Sequence, residues 1–420
     1  MVLGLTTGAL VILIIAIIFA LYAAWGGGAN DVANAMGTSV GSGALTLGGA
    51  IVVATIFEFA GAVLVGSKVT ETVRKGIVSP EAIGDPHVFM AGMIAAMAAA
   101  AIWLTIATFW SMPVSTTHSI VGAIVGFGMV VGGTSAVDWA KMWEIVMGWL
   151  ISPVLGAFIG LAIFNIVRIT VLNKDDPVEA SRRWGPVYIA LTVFVLVMAT
   201  LFKGLKQLKL DLTFNTALLY TLAISLLVGL LFVPFFRRIK VGPTSTDRER
   251  YKATERLFVF LQIATAASVA FAHGANDVAN AVGPLAAVWV TLQTGAVEAQ
   301  ANAVPIWIFV LGGAGIVIGL ATYGSRVIQT IGKKITELTP SRGFSAEISA
   351  AMVILFASHL GLPVSTTHTL VGCVIGVGLA RGIPALDLRI IGKIMFSWAV
   401  TLPFVGITAA GIYFLIIPFM

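Results

Sequence analysis

Charged residues are scarce in this chain. Asp, Glu, Lys and Arg together make up 10% of the 420 residues, whereas apolar residues make up 58% and the mean hydropathy is +1.00. A soluble domain is far more polar, with about 25% charged residues. The apolar runs are long enough to cross about 30 Å of hydrocarbon as helices, and they lack the roughly ten-residue alternation of a membrane β-barrel. The sequence therefore predicts an all-α polytopic membrane protein.

Cysteine and early basic residues are nearly absent as well. Cys373 is the single cysteine, which excludes an intramolecular disulfide. No Lys or Arg precedes the first apolar run, at residues 9–25, so this run lacks the basic segment of a cleaved signal peptide and is predicted to be a membrane span. The net charge of +6 does not indicate a nucleic-acid partner, because the basic residues lie mainly in loops, as the positive-inside rule expects.

The chain contains two motifs, and each occurs twice. The first copy reads GGANDVANAMG from Gly27 and PVSTTHSIVGAIVG from Pro113, and the second reads HGANDVANAVG from His273 and PVSTTHTLVGCVIG from Pro363. The spacing between the two motifs is nearly the same in both copies, which indicates an internal duplication. We divide the chain into a first transporter repeat, a linker region with two plain spans and a basic loop, and a second transporter repeat, at 1–172, 173–255 and 256–420.

The charge of the loops predicts how the repeats are inserted. The loop at 237–256 contains the densest cluster of basic residues and is predicted to be cytoplasmic. The first repeat begins at an N-terminus without basic side chains, whereas the second begins directly after this loop, so the two start on opposite sides. This pattern indicates an inverted-topology repeat. We expect about twelve transmembrane helices, including broken or re-entrant helices that meet at the midplane, with both termini outside.

The Asn-Asp motif places carboxylates in apolar sequence. A bare carboxylate at that depth costs about 2.5–3.5 kcal/mol on insertion scales, so a partner must compensate it. The flanking glycines, Gly26 to Gly28, favour a broken helix, and freed carbonyl oxygens together with carboxylate and amide oxygens suit a hard monovalent cation. A buried, hydrogen-bonded contact between helices is the structural alternative. The predicted sodium ligands are Asn30, Asp31, Asn276 and Asp277.

The second motif is typical of a helix start. Pro113 disfavours helical structure at the residue before it, and Ser115 is then a natural N-cap. Orphan backbone N–H groups, the positive end of the helix dipole and the hydroxyls of the first turn form an anion site without a basic side chain. Inversion would aim the two helix starts at each other around one tetrahedral oxyanion, although an ordinary Pro-Ser cap explains a single copy. The predicted oxyanion ligands are Ser115, Thr116, Thr117, Ser365, Thr366 and Thr367.

Three further residues are candidates for coupling. Glu58 is an acid inside an apolar run, and the corresponding region of the second repeat has Gly312 or Gly313, so the repeats are not expected to be functionally identical. His118 and His368 lie in the first turns of the two hydroxyl-rich helices and could titrate or donate to the substrate. A hydrogen bond to a neighbour is the simpler interpretation of both histidines.

The segments GANDVANAMGTSVGSGALT, IFEFAGAVLVGSKVTETVRKGI and the two PVSTTH sequences resemble the inorganic phosphate transporter (PiT) family, the type III sodium-phosphate cotransporters. The resemblance covers both repeats, and paired GANDVANA motifs are highly specific to the family. It implies symport of inorganic phosphate with a cation on an inverted-repeat helical fold. The first motif is more similar to the sodium-coupled, eukaryote-type members than to the proton-coupled bacterial ones. However, the polar linker after Arg237 is short, where eukaryotic members have a long cytoplasmic domain.

Position by position, the resemblance implies that the Asn-Asp residues match the family's cation and substrate motif and that 115–117 and 365–367 match its phosphate-contacting segments. Asn34 and Asn280 could donate to phosphate or coordinate sodium, and we assign them to phosphate. The hypothesis is a transporter of the cell membrane that imports phosphate with sodium by alternating access. It is not an enzyme, and it needs no cofactor besides the co-transported sodium. A homodimer could form through the plain spans at 186–202 and 213–236.

Several alternatives stay open at this point. The coupling ion could be a proton, and the cargo could be metal-phosphate or another tetrahedral oxyanion such as sulfate or arsenate. An intramembrane aspartyl protease would use Asp31 and Asp277 but would leave both STTH segments without a role. A passive anion channel would not concentrate its substrate.

Overall fold

The computed structural model describes residues 6–66, 70, 77–78, 83–201, 212–238, 246–297, 304–360 and 364–420. These residues form thirteen α-helices, joined by short 3₁₀ and π turns, and a single isolated bridge between Val78 and Val137. Eight of the helices are long and apolar enough to cross a membrane. The predicted all-α class of a polytopic membrane protein is confirmed. Pro363 and most of the segment GSKVTETVRKGI lie outside the described residues.

The helices are grouped here by the expected repeats and linker region. The first repeat contains α1 Thr7–Gly41, α2 Leu47–Val65, α3 Pro86–Phe109, α4 Thr116–Gly132 and α5 Trp139–Val167. The linker region contains α6 Pro177–Ala199 and α7 Phe214–Arg237. The second repeat contains α8 Asp247–Thr294, α9 Ile306–Tyr323, the short α10 Ser325–Lys333, α11 Pro340–His359, α12 Thr366–Leu379 and α13 Leu388–Ile416. Helix α8 runs across residue 255, where we divided the linker region from the second repeat.

Most helices begin at a polar residue that can be identified in the sequence. A side-chain oxygen at the N-cap accepts a hydrogen bond from the first turn and so satisfies one of its orphan N–H groups. At α8, Thr246 and Glu249 form a reciprocal capping box. The remaining side-chain caps are Thr6, Thr46, Asp85, Ser115, Asp138, Asp176, Thr213, Ser365 and Asp387.

The two repeats are interleaved. Helix α4 of the first repeat packs against α13 of the second, and α12 of the second packs against α5 of the first. Small residues make both contacts close, since a Cβ atom at Gly126 would overlap the backbone of Gly406 and one at Gly376 would overlap that of Ala157. Helices α1 and α8 exchange partners in the same way, with α1 against α9 and α8 against α2. Neither repeat therefore forms its site alone.

Each repeat also contains a helical hairpin that ends inside the protein. In the first, Gly92 near the start of α3 packs directly on Phe127 near the end of α4. In the second, Arg381 after α12 contacts Glu337 before α11, with 3.2 Å between guanidinium nitrogen and carboxylate oxygen. Both pairs are therefore antiparallel hairpins. Their turning ends come just before the buried Ser115 and Ser365, as the prediction of re-entrant helices requires.

The expected break in the Asn-Asp segments is wrong, because α1 and α8 are continuous through their motifs. The glycines serve close packing here. A Cβ atom at Gly28 would overlap the backbone of Ile316 in α9, and one at Gly274 would overlap the backbone of Glu58 in α2. Only glycine allows the backbones to approach this closely.

These two contacts also show which residues of α2 and α9 correspond. Gly28 and Gly274 are equivalent positions of the duplicated motif, so their partners Ile316 and Glu58 are equivalent as well. The expected correspondence of Glu58 with Gly312 or Gly313 is therefore wrong. The position of an acid in the first repeat is therefore taken by a plain aliphatic residue in the second.

Candidate functional site

Both hydroxyl-rich helix starts meet the Asn-Asp segments inside the protein. Thr116 Oγ1 donates to Asp31 Oδ2 at 2.7 Å, and Thr366 Oγ1 donates to Asp277 Oδ2 at 2.8 Å. The four side chains are all buried. The two hydrogen bonds are equivalent in the two repeats, so the site has approximate twofold symmetry.

Two asparagines connect each motif to the helix start of the other repeat. Asn34 Nδ2 donates to Thr367 Oγ1 at 2.8 Å, and Asn280 Nδ2 donates to Thr116 Oγ1 at 3.1 Å and to Thr117 Oγ1 at 3.3 Å. The amide oxygens of both asparagines are buried, and they have no hydrogen-bond partner among the described residues. Asn34 and Asn280 thus use their nitrogens within the protein and keep an oxygen available as a ligand.

Asn30 and Asn276 contact the backbone just before the helix starts. Asn30 Nδ2 donates to Met112 O at 3.0 Å, and its Oδ1 accepts from Val114 N at 3.0 Å. Asn276 Nδ2 donates to Val364 O at 3.1 Å. These contacts fix the backbone before each helix start, and ligation of a cation by Asn30 and Asn276 stays a prediction.

Threonine hydroxyls at the two helix starts also donate hydrogen bonds to the backbone of the opposite repeat. Thr117 Oγ1 donates to Val364 O at 3.3 Å, and Thr367 Oγ1 donates to Val114 O at 3.0 Å. Ser115 and Ser365 instead cap their own helices, each accepting from the backbone N–H three residues later at 3.1 Å. Thr117 and Thr367 therefore donate to the opposite repeat, whereas the serines cap the helix starts.

His273 is a site residue that the sequence analysis did not single out. Its Nε2 lies 2.8 Å from Asp277 Oδ2 and 3.8 Å from Asp31 Oδ2, and its Nδ1 lies 3.3 Å from Glu58 Oε1. The imidazole thus connects the coupling candidate Glu58 to both aspartates. Gly27 occupies the equivalent position of the first motif. The two motifs otherwise differ only at Met36 and Val282, so the replacement of glycine by histidine could have identified His273 from the sequence.

Asp31, His273 and Asp277 form a buried cluster of groups that could bind a cation. One ligand atom from each residue lies within 4.8 Å of the others. A cavity of about 20 Å³ adjoins this cluster, and Gly27 and Asn280 also line it. This is room for one water-sized ligand, such as a monovalent cation, but not for a tetrahedral oxyanion.

His118 and His368 contact each other rather than the aspartates. Their ring centroids are 4.3 Å apart, in an edge-on arrangement. His118 packs on Trp149 and His368 stacks on Trp398, with centroid distances of 3.8 and 3.5 Å. The pair forms an aromatic contact between the two repeats.

The sequence analysis also missed a buried carboxylate. Glu347 in α11 is fully buried and accepts from Thr38 at 2.5 Å, Ser39 at 2.6 Å, Gln262 at 3.2 Å and Thr265 at 2.6 Å. These donors come from α1 and α8, on the C-terminal side of one motif and the N-terminal side of the other. No repeated motif marks this residue, so its role could not be found by comparing the repeats.

The comparisons with known proteins agree with this architecture. The model of the phosphate transporter family matches residues 27–409. A protein of Pyrococcus abyssi, whose name assigns it provisionally to the phosphate permeases, is 47% identical over 96% of this chain and 97% of its own length. "Inorganic phosphate transporter 2-1, chloroplastic" of Arabidopsis thaliana is 43% identical over 94% of this chain and 70% of its own length.

A solved structure is similar along almost the whole chain. It is described as "The sodium-dependent phosphate transporter", has a TM-score of 0.90 and 41% sequence identity, and the match covers 97% of this chain and 99% of that one. The family match spans both motifs and the interleaved helices. Because the relatives are transporters and permeases, the alternative of an intramembrane protease is excluded. The chain belongs to the phosphate transporter family and is a multi-pass membrane transporter rather than an enzyme.

Proposed function

We propose that the protein imports inorganic phosphate together with sodium by alternating access in a cell membrane, with both termini outside. The observation that carries this proposal is the pair of equivalent hydrogen bonds from Thr116 to Asp31 and from Thr366 to Asp277. Each links an anion-binding helix start directly to a carboxylate that can hold a cation. A proton-coupled transporter for phosphate, metal-phosphate or another tetrahedral oxyanion is the alternative.

The cation would bind at the carboxylate side of these hydrogen bonds. Asp31 and Asp277 supply negative charge. We reassign Asn34 and Asn280 from phosphate to sodium, because their nitrogens already donate within the protein and their unpartnered amide oxygens can serve as neutral ligands. A hard cation such as sodium prefers oxygen ligands of this kind, as calcium and magnesium do. Because sodium neutralises carboxylates that would repel phosphate in a low-dielectric site, we infer that sodium binds first.

Phosphate would bind at the hydroxyl side. Once sodium interacts with the carboxylates, Thr116 and Thr366 are free to donate to phosphate oxygens instead. Backbone N–H groups in the first turn of α4 and α12 add donors, and the dipoles of both helices favour the anion. This exchange of partners makes each ligand raise the affinity of the other by the same factor, as linkage requires.

Alternating access would use the interleaved hairpins. The α3–α4 and α11–α12 hairpins meet end to end, so movement of one relative to its surroundings opens the site to one side only. Inverted repeats provide such movement by exchanging conformations between the two halves. The plain spans α6 and α7 are candidates for scaffold or dimer contacts.

Uptake of radiolabelled phosphate into proteoliposomes tests the proposal. An inward sodium gradient should drive accumulation above equilibrium, and a proton gradient of equal size without sodium should not. Accumulation driven only by protons would replace sodium with protons as the coupling ion. Equilibration without accumulation would indicate a channel, and preferential uptake of sulfate or arsenate would replace phosphate as the cargo.

A further inference from the structure

A basic cavity lies next to the turning end of the α3–α4 hairpin. It has a volume of about 560 Å³, and the segment after α3, the end of α10 and the start of α13 form its walls. Three exposed cationic residues line it: Lys334, Arg389 and Lys393. We call this cavity the vestibule.

The charge of the vestibule is largely uncompensated. None of its three cationic side chains forms an ion pair with a carboxylate in the described part of the chain. The nearby Glu337 pairs with Arg342 and Arg381 instead. Asp387 is occupied as the N-cap of α13, where it accepts from two backbone N–H groups. A concave surface with several charges of one sign concentrates ions of the opposite sign.

One backbone segment is shared by the vestibule and the transport site. Met112 and Pro113 line the vestibule. Met112 O also accepts the hydrogen bond from Asn30, the residue before Asp31, and Pro113 leads into the cap of α4 at Ser115. The wall of the vestibule is therefore also the support of the phosphate-binding helix start.

This wall includes a strained residue. Ser111 has a φ of 56°, the single positive φ of a non-glycine residue in the described ranges. Such a conformation costs on the order of 1–3 kcal/mol and persists only where the surroundings enforce it. Here Thr330 in α10, which also lines the vestibule, donates to Ser111 O at 3.1 Å. Backbone hydrogen bonds at the end of α3 and the side chains of Thr330 and Asn30 therefore fix this segment between the vestibule and the transport site.

A chain of contacts connects the vestibule to the early part of α8, the helix that follows the basic loop in the sequence. Helix α10, which forms one wall of the vestibule, is followed in the chain by Glu337. The carboxylate of Glu337 contacts Arg342 in the first turn of α11. The neighbouring Ser341 N donates to Glu255 Oε2 in the early part of α8 at 2.9 Å. Helix α8 begins directly after the loop that the sequence predicts to be cytoplasmic. Phosphate that leaves the site toward this side would pass the vestibule.

We propose that the vestibule is a second binding site for a phosphate group, which inorganic phosphate occupies between the transport site and the side of the basic loop. This inference rests on the proposed function. The same chemistry could come from the headgroup of an anionic phospholipid, since Trp110 and Phe396 beside the vestibule are 61% and 72% exposed and basic pockets between membrane helices bind such headgroups. The shared backbone segment favours free phosphate, because it connects the vestibule to the transport site.

Equilibrium binding of radiolabelled phosphate to the full-length protein in phosphatidylcholine nanodiscs tests this site. The wild type should show a sodium-dependent site and a weaker site that needs no sodium and weakens as salt rises. The double variant Arg389→Gln/Lys393→Gln should lose affinity at the weaker site by roughly tenfold or more and keep the sodium-dependent site, which also shows that it is folded. Lys174→Gln removes one exposed charge elsewhere and should bind like the wild type.

The variant Asp31→Asn separates this proposal from the proposed function. It should lose the sodium-dependent site and keep the weaker one. If sodium dependence is missing in the wild type while the weaker site depends on Arg389 and Lys393, the proposed coupling fails and the vestibule site stands. If the double variant binds phosphate like the wild type, the vestibule proposal is overturned.

A lipid arm distinguishes the two sources of the phosphate group. The binding is repeated in nanodiscs that contain phosphatidylglycerol, and native mass spectrometry counts the lipids that stay bound. Free phosphate as occupant predicts the weaker site in both membranes. Phosphatidylglycerol retained by the wild type but not by the double variant, together with no weaker phosphate site, would overturn the role in phosphate passage and assign the vestibule to a lipid headgroup.

Discussion

The two repeats supply nearly identical groups to the site but differ at two positions in contact. Thr116 with Asp31 and Thr366 with Asp277 are equivalent pairs. In contrast, Gly27 of the first repeat corresponds to His273, and Glu58 corresponds to Ile316 of the second. His273 and Glu58 lie 3.3 Å apart, so both departures from symmetry meet at one place. The symmetric groups suit a tetrahedral anion held from two sides, whereas the asymmetric pair gives the two aspartates different surroundings, with His273 2.8 Å from Asp277 and 3.8 Å from Asp31.

The largest effect is expected from Asp31→Asn, which removes a symmetric carboxylate. The neutral amide cannot balance sodium, and it places a donor where Thr116 and Asn34 now donate. Sodium-driven phosphate uptake in proteoliposomes should fall by roughly a hundredfold or more, because hydrogen bonds to a charged group contribute about 1.5–3 kcal/mol each. Asp277→Asn is the matched variant of the other repeat. Unchanged sodium activation in both variants would contradict the assignment of these carboxylates.

A large effect on stability is expected when His273 and Glu58 are replaced by the residues of the other repeat, Gly and Ile. His273→Gly alone leaves Glu58 buried without its imidazole partner, and Glu58→Ile alone removes a carboxylate beside His273. Breaking a buried charged pair costs about 3–5 kcal/mol. Each single variant should therefore lower the thermal unfolding temperature in detergent.

The double variant Glu58→Ile/His273→Gly should be more stable than the sum of the two single changes predicts, since neither member of the contacting pair is left without the other. Its phosphate uptake should still depend on Asp31. Additive losses in this double-mutant cycle would show that the two side chains do not interact. Normal sodium dependence in the symmetric variant would show that the asymmetry has no part in coupling.

A moderate and equal effect is expected from Thr116→Val and Thr366→Val. Each removes one hydroxyl of a symmetric pair and keeps the shape of the side chain. The Michaelis constant for phosphate should rise roughly tenfold in either variant, which corresponds to about 1.4 kcal/mol. Initial rates of uptake at several phosphate concentrations measure it. An effect confined to one variant would show that the anion is held by one repeat rather than by both.

The smallest effect is expected from Ser115→Ala and Ser365→Ala. Both serines cap their helices, and loss of such a cap costs about 1 kcal/mol. The unfolding temperature should decrease slightly in each variant, and the sodium dependence of uptake should not change. Loss of phosphate binding comparable with the threonine variants would instead make the serines direct ligands.

The motifs themselves were sufficient to find most of this site. Duplicated Asn-Asp and STTH segments identified the two aspartates and the threonines, and Pro-Ser pairs identified the helix starts. The helix break expected at Gly26–Gly28 is absent from the described structure. Glycine in a helix can indicate either a bend or close packing against a neighbouring helix, and the sequence alone does not distinguish the two. The sequence also did not predict a role for Glu347, since its four hydrogen-bond donors come from helices distant in the chain.

The sequence alone determined the membrane-spanning all-α class, the duplication and the chemistry available at its centre, because hydrophobic run length and repeated polar motifs are local properties. Only the tertiary structure decided which residues share a contact. Interleaving of the repeats places Asn34 on Thr367 and Asn280 on Thr116, and it brings His273 to Glu58. Such pairings depend on how helices from the two halves pack, since the burial of each polar group requires a partner that the folded protein provides.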